Sequence, residues 1–317
     1  VDWAHFGMDR PPFRPAVDPA AYFAAPTHAA ALAALVAAFA RREPAVLIDG
    51  GSGVGKSLVA RKWLDDLLPE VPRVFLPNAR ADRPADLLQA ILFDLGKPYH
   101  GLTESELRLA VTGHLLDAAA GGYPTVLVID EAQHLSPAAL EEVRLLGNLE
   151  TRNGTAAFAV LVAQPPLRAA LARPACALVA DRVAVRMAVD PLAADEAVAY
   201  LRHQVCAAGG DADRAFDDGA VALLAGACGG IPRALNRAAG LAFELAAESG
   251  ADAVDVEAAL EALARLGLAT PDEDTDAGAV LLALPGEQRP ATGKPTKANE
   301  RGSARGSKEK VNRKHTA

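Results

Sequence analysis

Residues Gly50, Gly51, Ser52, Gly53, Val54, Gly55, Lys56 and Ser57 read GGSGVGKS, a glycine-rich turn that ends in a lysine and a hydroxyl. Glycines in such a turn let successive backbone N–H groups face inward around phosphate oxygens. A helix opening at that point adds positive potential, and Lys56 neutralises the β and γ oxygens of a nucleoside triphosphate. Ser57 is placed to give its hydroxyl to Mg2+. Further along, the apolar run Val126 to Ile129 leads into Asp130 and Glu131. Asp130 suits the Mg2+ shell, and Glu131 suits a base that orients and activates water for attack on the γ-phosphate. A second carboxylate there favours hydrolysis over transfer to a bound acceptor.

These groups need a scaffold that brings separate strand ends together. Apolar runs predict strands at 45–49, 73–76, 125–129, 158–162 and 182–189, with helical segments between them. Thr103 to Glu106 reads as a capping box, and Ser136 before Pro137 reads as a helix start. Strands alternating with helices predict an α/β fold, a parallel sheet covered on both faces. The strand signal stops after Pro191, and helical stretches within 193–267 predict a small all-α domain. The expected division is a lead-in over 1–44 packing on the core, a nucleotide-binding domain over 45–190, a helical domain over 191–268 and a tail over 269–317.

Composition excludes several classes. The chain has 317 residues, 51% hydrophobic, but 71 of them are alanine and only 5% are aromatic, so small helix-favouring side chains inflate the apolar fraction. No apolar run reaches the roughly 18 residues of a membrane span, and the acidic start VDWAHFGMD is not a secretory signal. Cys176, Cys206 and Cys228 are odd in number and lack metal or disulfide spacing, which fits a reducing cytoplasm. Residues 287–317 carry nine Lys/Arg against three Asp/Glu, +6, so the other 286 residues carry -14 of the total -8. That tail is expected to be disordered, either solubilising the chain or meeting DNA, RNA or an anionic membrane surface.

Six blocks occur in an order that resembles the AAA+ ATPases, specifically the ExeA/GspA type of the general secretion pathway. They are FGMDRPPF with VDPAAYF and His28, GGSGVGKS, VLVIDEAQHLSPAALEEVRLLGNLET, VLVAQPPLRAALARP, DRVAVR and GGIPRALNR, spanning about Phe6 to Leu266. The resemblance implies a three-layer αβα sandwich with strand order 5-1-4-3-2, a helical lid, and ATP hydrolysis with Mg2+ coupled to conformational change or homo-oligomeric assembly. It places Gln164 as the polar residue near the γ-phosphate, Asn78 as a residue that holds Glu131 in an inactive pose, and Arg233 as a lid arginine facing the nucleotide. Arg182, with Arg186 competing, resembles the finger that reaches a neighbouring subunit's γ-phosphate. Tyr22, Phe23 and His28 are placed either to border adenine or to pack the lead-in onto the sheet.

In that family a transmembrane segment and a peptidoglycan-binding region commonly follow the ATPase. Neither follows residue 267, so an envelope-spanning role is not expected, and the location expected is cytoplasmic, free or peripheral at the inner membrane or nucleoid. Two alternatives stand beside the secretion-type ATPase: a DNA-dependent AAA+ regulator of transposition or replication, and a nucleotide switch without turnover. The protein partner is not identified by the sequence.

Overall fold

The structure, a computed structural model, describes residues 1–14, 18–152 and 154–268; the basic tail lies outside the described residues. Strands β1 (Ala45–Asp49), β2 (Arg73–Leu76), β3 (Thr125–Ile129), β6 (Ala157–Ala163) and β7 (Val183–Ala188) form a sheet in the order β2-β3-β6-β1-β7, and a short hairpin pairs β4 (Glu150–Thr151) with β5 (Gly154–Thr155). All pairings in the larger sheet are parallel. Leaving out the hairpin, which the sequence reading did not foresee, the order is the expected 5-1-4-3-2 read from the other edge. Every residue of β1, β3 and β6 is buried. Their near-continuous Val, Ile, Leu and Ala content follows, because a strand covered on both faces has no solvent side to alternate with.

Helices α1 (Pro26–Ala40) and α2 (Lys56–Asp66) cover one face, where Leu35, Val59 and Trp63 meet Ile48, Val128 and Phe158. Helices α3 (Pro84–Asp94), α4 (Glu104–Ala120), α5 (Pro137–Gly147), α6 (Pro165–Leu171) and α7 (Ala177–Arg182) cover the other. Their starts follow from the sequence. Glu106 accepts the Thr103 N–H at 2.8 Å while the Thr103 hydroxyl accepts the Glu106 N–H, and the Ser136 hydroxyl accepts the Ala139 N–H at 3.1 Å ahead of Pro137. The result is a three-layer αβα sandwich.

The helical region comprises α8 (Ala194–Ala207), α9 (Ala212–Ala215), α10 (Asp218–Ala227), α11 (Pro232–Ser249) and α12 (Val256–Arg265). Ala238, Ala239, Ala242 and Ala246 line the buried side of α11 and let its neighbours approach closely. At the centre sits Phe243, fully buried against the rings of Phe6, Phe13 and Phe216, with centroids 5.0, 5.9 and 5.1 Å away. Burial of one such side chain contributes about 1.5–3 kcal/mol. The lead-in thus divides between two cores. Its first residues, through Phe13, pack into the helical bundle together with Phe23 and Ala25, while Tyr22 and α1 pack on the sheet. Among the described residues, no helix is long and apolar enough to cross a membrane.

Candidate active site

Residues 50–55 join the end of β1, the strand between β6 and β7, to the first turn of α2. Two glycines are required by their surroundings. A Cβ on Gly50 would lie 2.3 Å from the Val189 carbonyl oxygen, and Gly55, at φ 103, would press a Cβ to 2.7 Å from Nε2 of His28. That imidazole, buried on α1, donates from Nε2 to the Val54 carbonyl at 2.7 Å and so braces the loop from beneath. Burial lowers the His28 pKa, against the raising effects of the Val54 bond and the charge of Glu196.

Lys56 is buried, and its ammonium donates to the Gly51 carbonyl at 2.6 Å. Burial pulls its pKa down, partly offset by the nearby Glu131, Asp130 and Asp49 and reinforced by Arg233. A desolvated cation whose hydrogen-bond partner among the described residues is a loop carbonyl fits a phosphate anion.

Asp130 ends β3 and is also buried. Burial raises its pKa, while hydrogen bonds from the Ser57 side chain and the Glu131 N–H, the latter at 2.9 Å, favour the carboxylate. Ser57 and Asp130 present a hydroxyl and a carboxylate oxygen side by side, the hard oxygen donors that a divalent cation prefers. Among the described residues no cluster of three or more His, Cys, Asp or Glu forms a metal site of another kind. Glu131 adopts φ 56 and ψ 36, a left-handed conformation rare outside glycine. Its Oε2 accepts the Gln133 amide at 2.5 Å and the Gln164 amide at 3.2 Å.

The helical region reaches the loop through the start of α11. The Arg233 guanidinium donates to the Ser52 hydroxyl at 3.1 Å, and its backbone N–H donates to the Gly53 carbonyl at 3.2 Å. Between the two parts lies a cleft of about 720 Å³, lined by Ser52, Lys56, Ser57 and Glu131 from the sheet part and by Phe13, Tyr200, Arg233 and Arg237 from the helical part. That size is within the range of about 300–1,000 Å³ typical of small-molecule sites.

Other expected residues fall elsewhere. Tyr22, Phe23 and His28 do not line the cleft, whose outer wall is the segment Arg10 to Arg14. Phe23 stacks instead on Tyr200 and His203, and Tyr22 packs with the sheet-side cluster. Asn78 is exposed and makes no hydrogen bond to Glu131, whose carboxylate is held by the two glutamines. Arg182 is exposed just before Val183, which pairs with Ala45 at the opposite end of β1 from the loop. Arg186 is exposed on the edge strand β7 and donates to the Ala180 carbonyl.

Three contributions were missed by sequence reasoning. Gln133 is one; its only signal is a polar side chain two residues beyond Glu131. The second is the wall built by Arg10 to Arg14, which no local pattern announces. The third is Arg168, whose guanidinium meets Asp49, the buried last residue of β1, at 3.1 Å and so ties α6 to the base of the loop.

A glycine-rich loop after β1, a carboxylate pair just beyond β3, the next strand but one, and a helical lid whose arginine touches that loop are the arrangement of the P-loop AAA+ ATPase class. The family described as AAA domain matches residues 40–171, the segment that holds the loop, both carboxylates and Gln164. More particularly, the chain is similar to General secretion pathway protein A of Aeromonas hydrophila, with 33% identity over 292 residues, 91% of this chain and 52% of that protein. The chain thus spans about half the length of the curated relative it matches.

Solved structures share the fold at lower identity. The Aeropyrum pernix ORC2 protein in its ADPNP-ADP complexes aligns with a TM-score of 0.64 at 16% identity, over 81% of this chain and 71% of that one. Cdc6p from Pyrobaculum aerophilum aligns with a TM-score of 0.58 at 18% identity, over 80% and 68%.

Proposed function

We propose that the chain binds ATP with Mg2+, hydrolyses it, and transmits the nucleotide's state to the position of its helical lid. The observation that carries this reading is the convergence of Lys56, Ser57, Glu131 and Arg233 on one cleft of about 720 Å³, with Asp130 bonded to Ser57 behind them. Lys56 exchanges the Gly51 carbonyl for phosphate oxygens, a better partner for a desolvated ammonium. Ser57 and Asp130 would hold Mg2+, which supplies neutralisation of the charge on the β and γ oxygens.

Glu131 orients a water and accepts its proton as the water oxygen bonds to the γ-phosphorus and the bridging P–O bond to the β-phosphate breaks. ADP and inorganic phosphate leave, and the proton returns to solvent from the Glu131 carboxyl. Arg233 belongs to the lid yet touches the loop, so a change of charge at the phosphates alters how firmly the lid is held. Arg182 ends α7 next to Val183, which pairs with Ala45 at the end of β1 away from the loop, so as a finger it would serve a neighbouring copy of the chain. The similarity to General secretion pathway protein A makes a secretion pathway the first setting in which to look for the partner.

The test is phosphate release from ATP with Mg2+ by the whole chain and by Glu131→Gln. The substitution should lower kcat by about 10²–10⁴-fold, the usual worth of a general base, with nucleotide affinity kept. Equal turnover by the two proteins would remove Glu131 from the mechanism.

A further inference from the structure

The carboxylate of Glu131 is gripped on one side only. Gln133, two residues on in the short 3-10 turn Ala132–His134, donates its amide to Oε2, and Gln164, at the end of β6, donates to the same oxygen. The Gln133 carbonyl oxygen in turn accepts the backbone N–H of Gln164 at 3.1 Å. The three groups close a circuit that bridges the ends of β3 and β6. Among the described residues no protein group hydrogen-bonds to Oε1 of Glu131, and Glu131 lines the cleft. The imidazole of His134 stands at the edge of the circuit, 4.0 Å from Oε2 and 3.4 Å from the Gln133 amide nitrogen.

We propose that Gln133 is a positioning residue that fixes Glu131 by Oε2 and leaves Oε1 free to take the proton of the attacking water. The residue type matters. An amide gives a donor to the carboxylate and an acceptor to the Gln164 N–H from one planar group, whereas a glutamate offers only acceptors and sets a like charge against Glu131. The left-handed backbone at Glu131 turns the chain back on itself, so that a side chain two residues later returns to the carboxylate. Gln133 does not line the cleft, so its effect on chemistry passes through Glu131 and not through nucleotide contacts.

The catalytic part of this inference rests on the hydrolysis reading, so two measurements are needed. The first follows the side-chain amide 15N–1H signals of Gln133 and Gln164, assigned by their disappearance in Gln133→Glu and Gln164→Glu, in the whole nucleotide-free chain. Glu131→Gln should move both signals; an unmoved Gln133 signal overturns the clamp, whatever the enzyme turns over. The second compares kcat with the affinity for a fluorescent ADP analogue. Gln133→Glu should lower kcat about tenfold, the scale of loss from a misaligned reacting group, with nucleotide affinity within about twofold.

If Gln133→Glu melts well below the wild type, Gln133→Met, uncharged and of similar length, replaces it with the same expectation. Wild-type turnover in either variant, or loss of affinity in parallel with kcat, overturns the positioning role. If the wild-type chain hydrolyses no ATP while the Gln133 signal still moves in Glu131→Gln, the hydrolysis reading fails and the clamp stands.

Discussion

Arg233 and Ser52 join the two halves of the molecule: a guanidinium on the lid helix α11 donates across the cleft to a hydroxyl of the phosphate loop, 3.1 Å away. Without nucleotide this contact occupies a cation that a phosphate would otherwise engage. On the proposed function, nucleotide binding would exchange Ser52 for phosphate at this guanidinium and so reach the lid directly.

Arg233→Ala should weaken ATP binding by about tenfold to a hundredfold, the equivalent of one lost hydrogen bond to a charged group at about 1.5–3 kcal/mol. The side chain is exposed, so the melting temperature without nucleotide should barely change. Calorimetric titration with ATP and ADP checks both; undiminished affinity would detach the lid arginine from the phosphates.

Lys56→Ala removes a desolvated cation whose protein partner is a loop carbonyl. Its nucleotide-free stability should equal or exceed that of the wild type, while stabilisation by nucleotide disappears. At a ligand concentration of 100 times Kd the wild type should gain about 2.7 kcal/mol. Thermal melts with and without ATP and Mg2+ separate the two effects.

His28 should make the loop sensitive to acid. Its folded-state pKa lies below the ordinary 6.5, chiefly because of burial. The unfolded chain therefore binds the proton more readily, and stability falls as pH drops through 6.5 towards the folded value. Urea unfolding midpoints measured across that window should decline for the wild type and flatten in His28→Gln, which keeps an N–H donor for the Val54 carbonyl. Parallel declines in both proteins would assign the acid sensitivity to other groups.

Arg182 can be separated from its own loop by mixing subunits. Arg182→Ala and Lys56→Ala should each be nearly inactive alone. Random co-assembly of equal amounts should restore about a quarter of the wild-type activity, since half the sites keep a working loop and half of their neighbours keep the arginine. No recovery on mixing would take the arginine out of an intersubunit role.

All five strands of the larger sheet were legible in the sequence, the half-exposed β2 and β7 included, to within a residue at each end. β1, β3 and β6 are covered on both faces, so their apolar runs end close to the observed strand ends, and the loop and acid pair follow those ends directly. The lid was legible as helix because alanine and leucine recur without β-branched runs. What the chain brings together over long distances was not. Gln133 reaches Glu131 only through a left-handed turn, and Phe13 belongs beside Phe243 only once the lead-in has crossed onto the lid. His28 has an imidazole's options at any buried position; its use as a brace depends on the space that Gly55 leaves open. Asn78, just beyond β2, follows the order of the motif, yet order alone does not tell that its side chain is exposed.

The divided lead-in carries a mechanical consequence. The chain itself crosses between the lid and the sheet domain at two places: where it leaves β7 and passes Val189 and Leu192 into α8, and where Ala25, part of the lid core, runs into α1, whose Leu35 belongs to the sheet core. A body pinned at one point can swing and twist freely. One pinned at two turns like a door, about the single line through its pins. If the lid moves as proposed, the motion at the cleft reduces to one angle, and the guanidinium on α11 follows a fixed arc past the loop instead of searching for it.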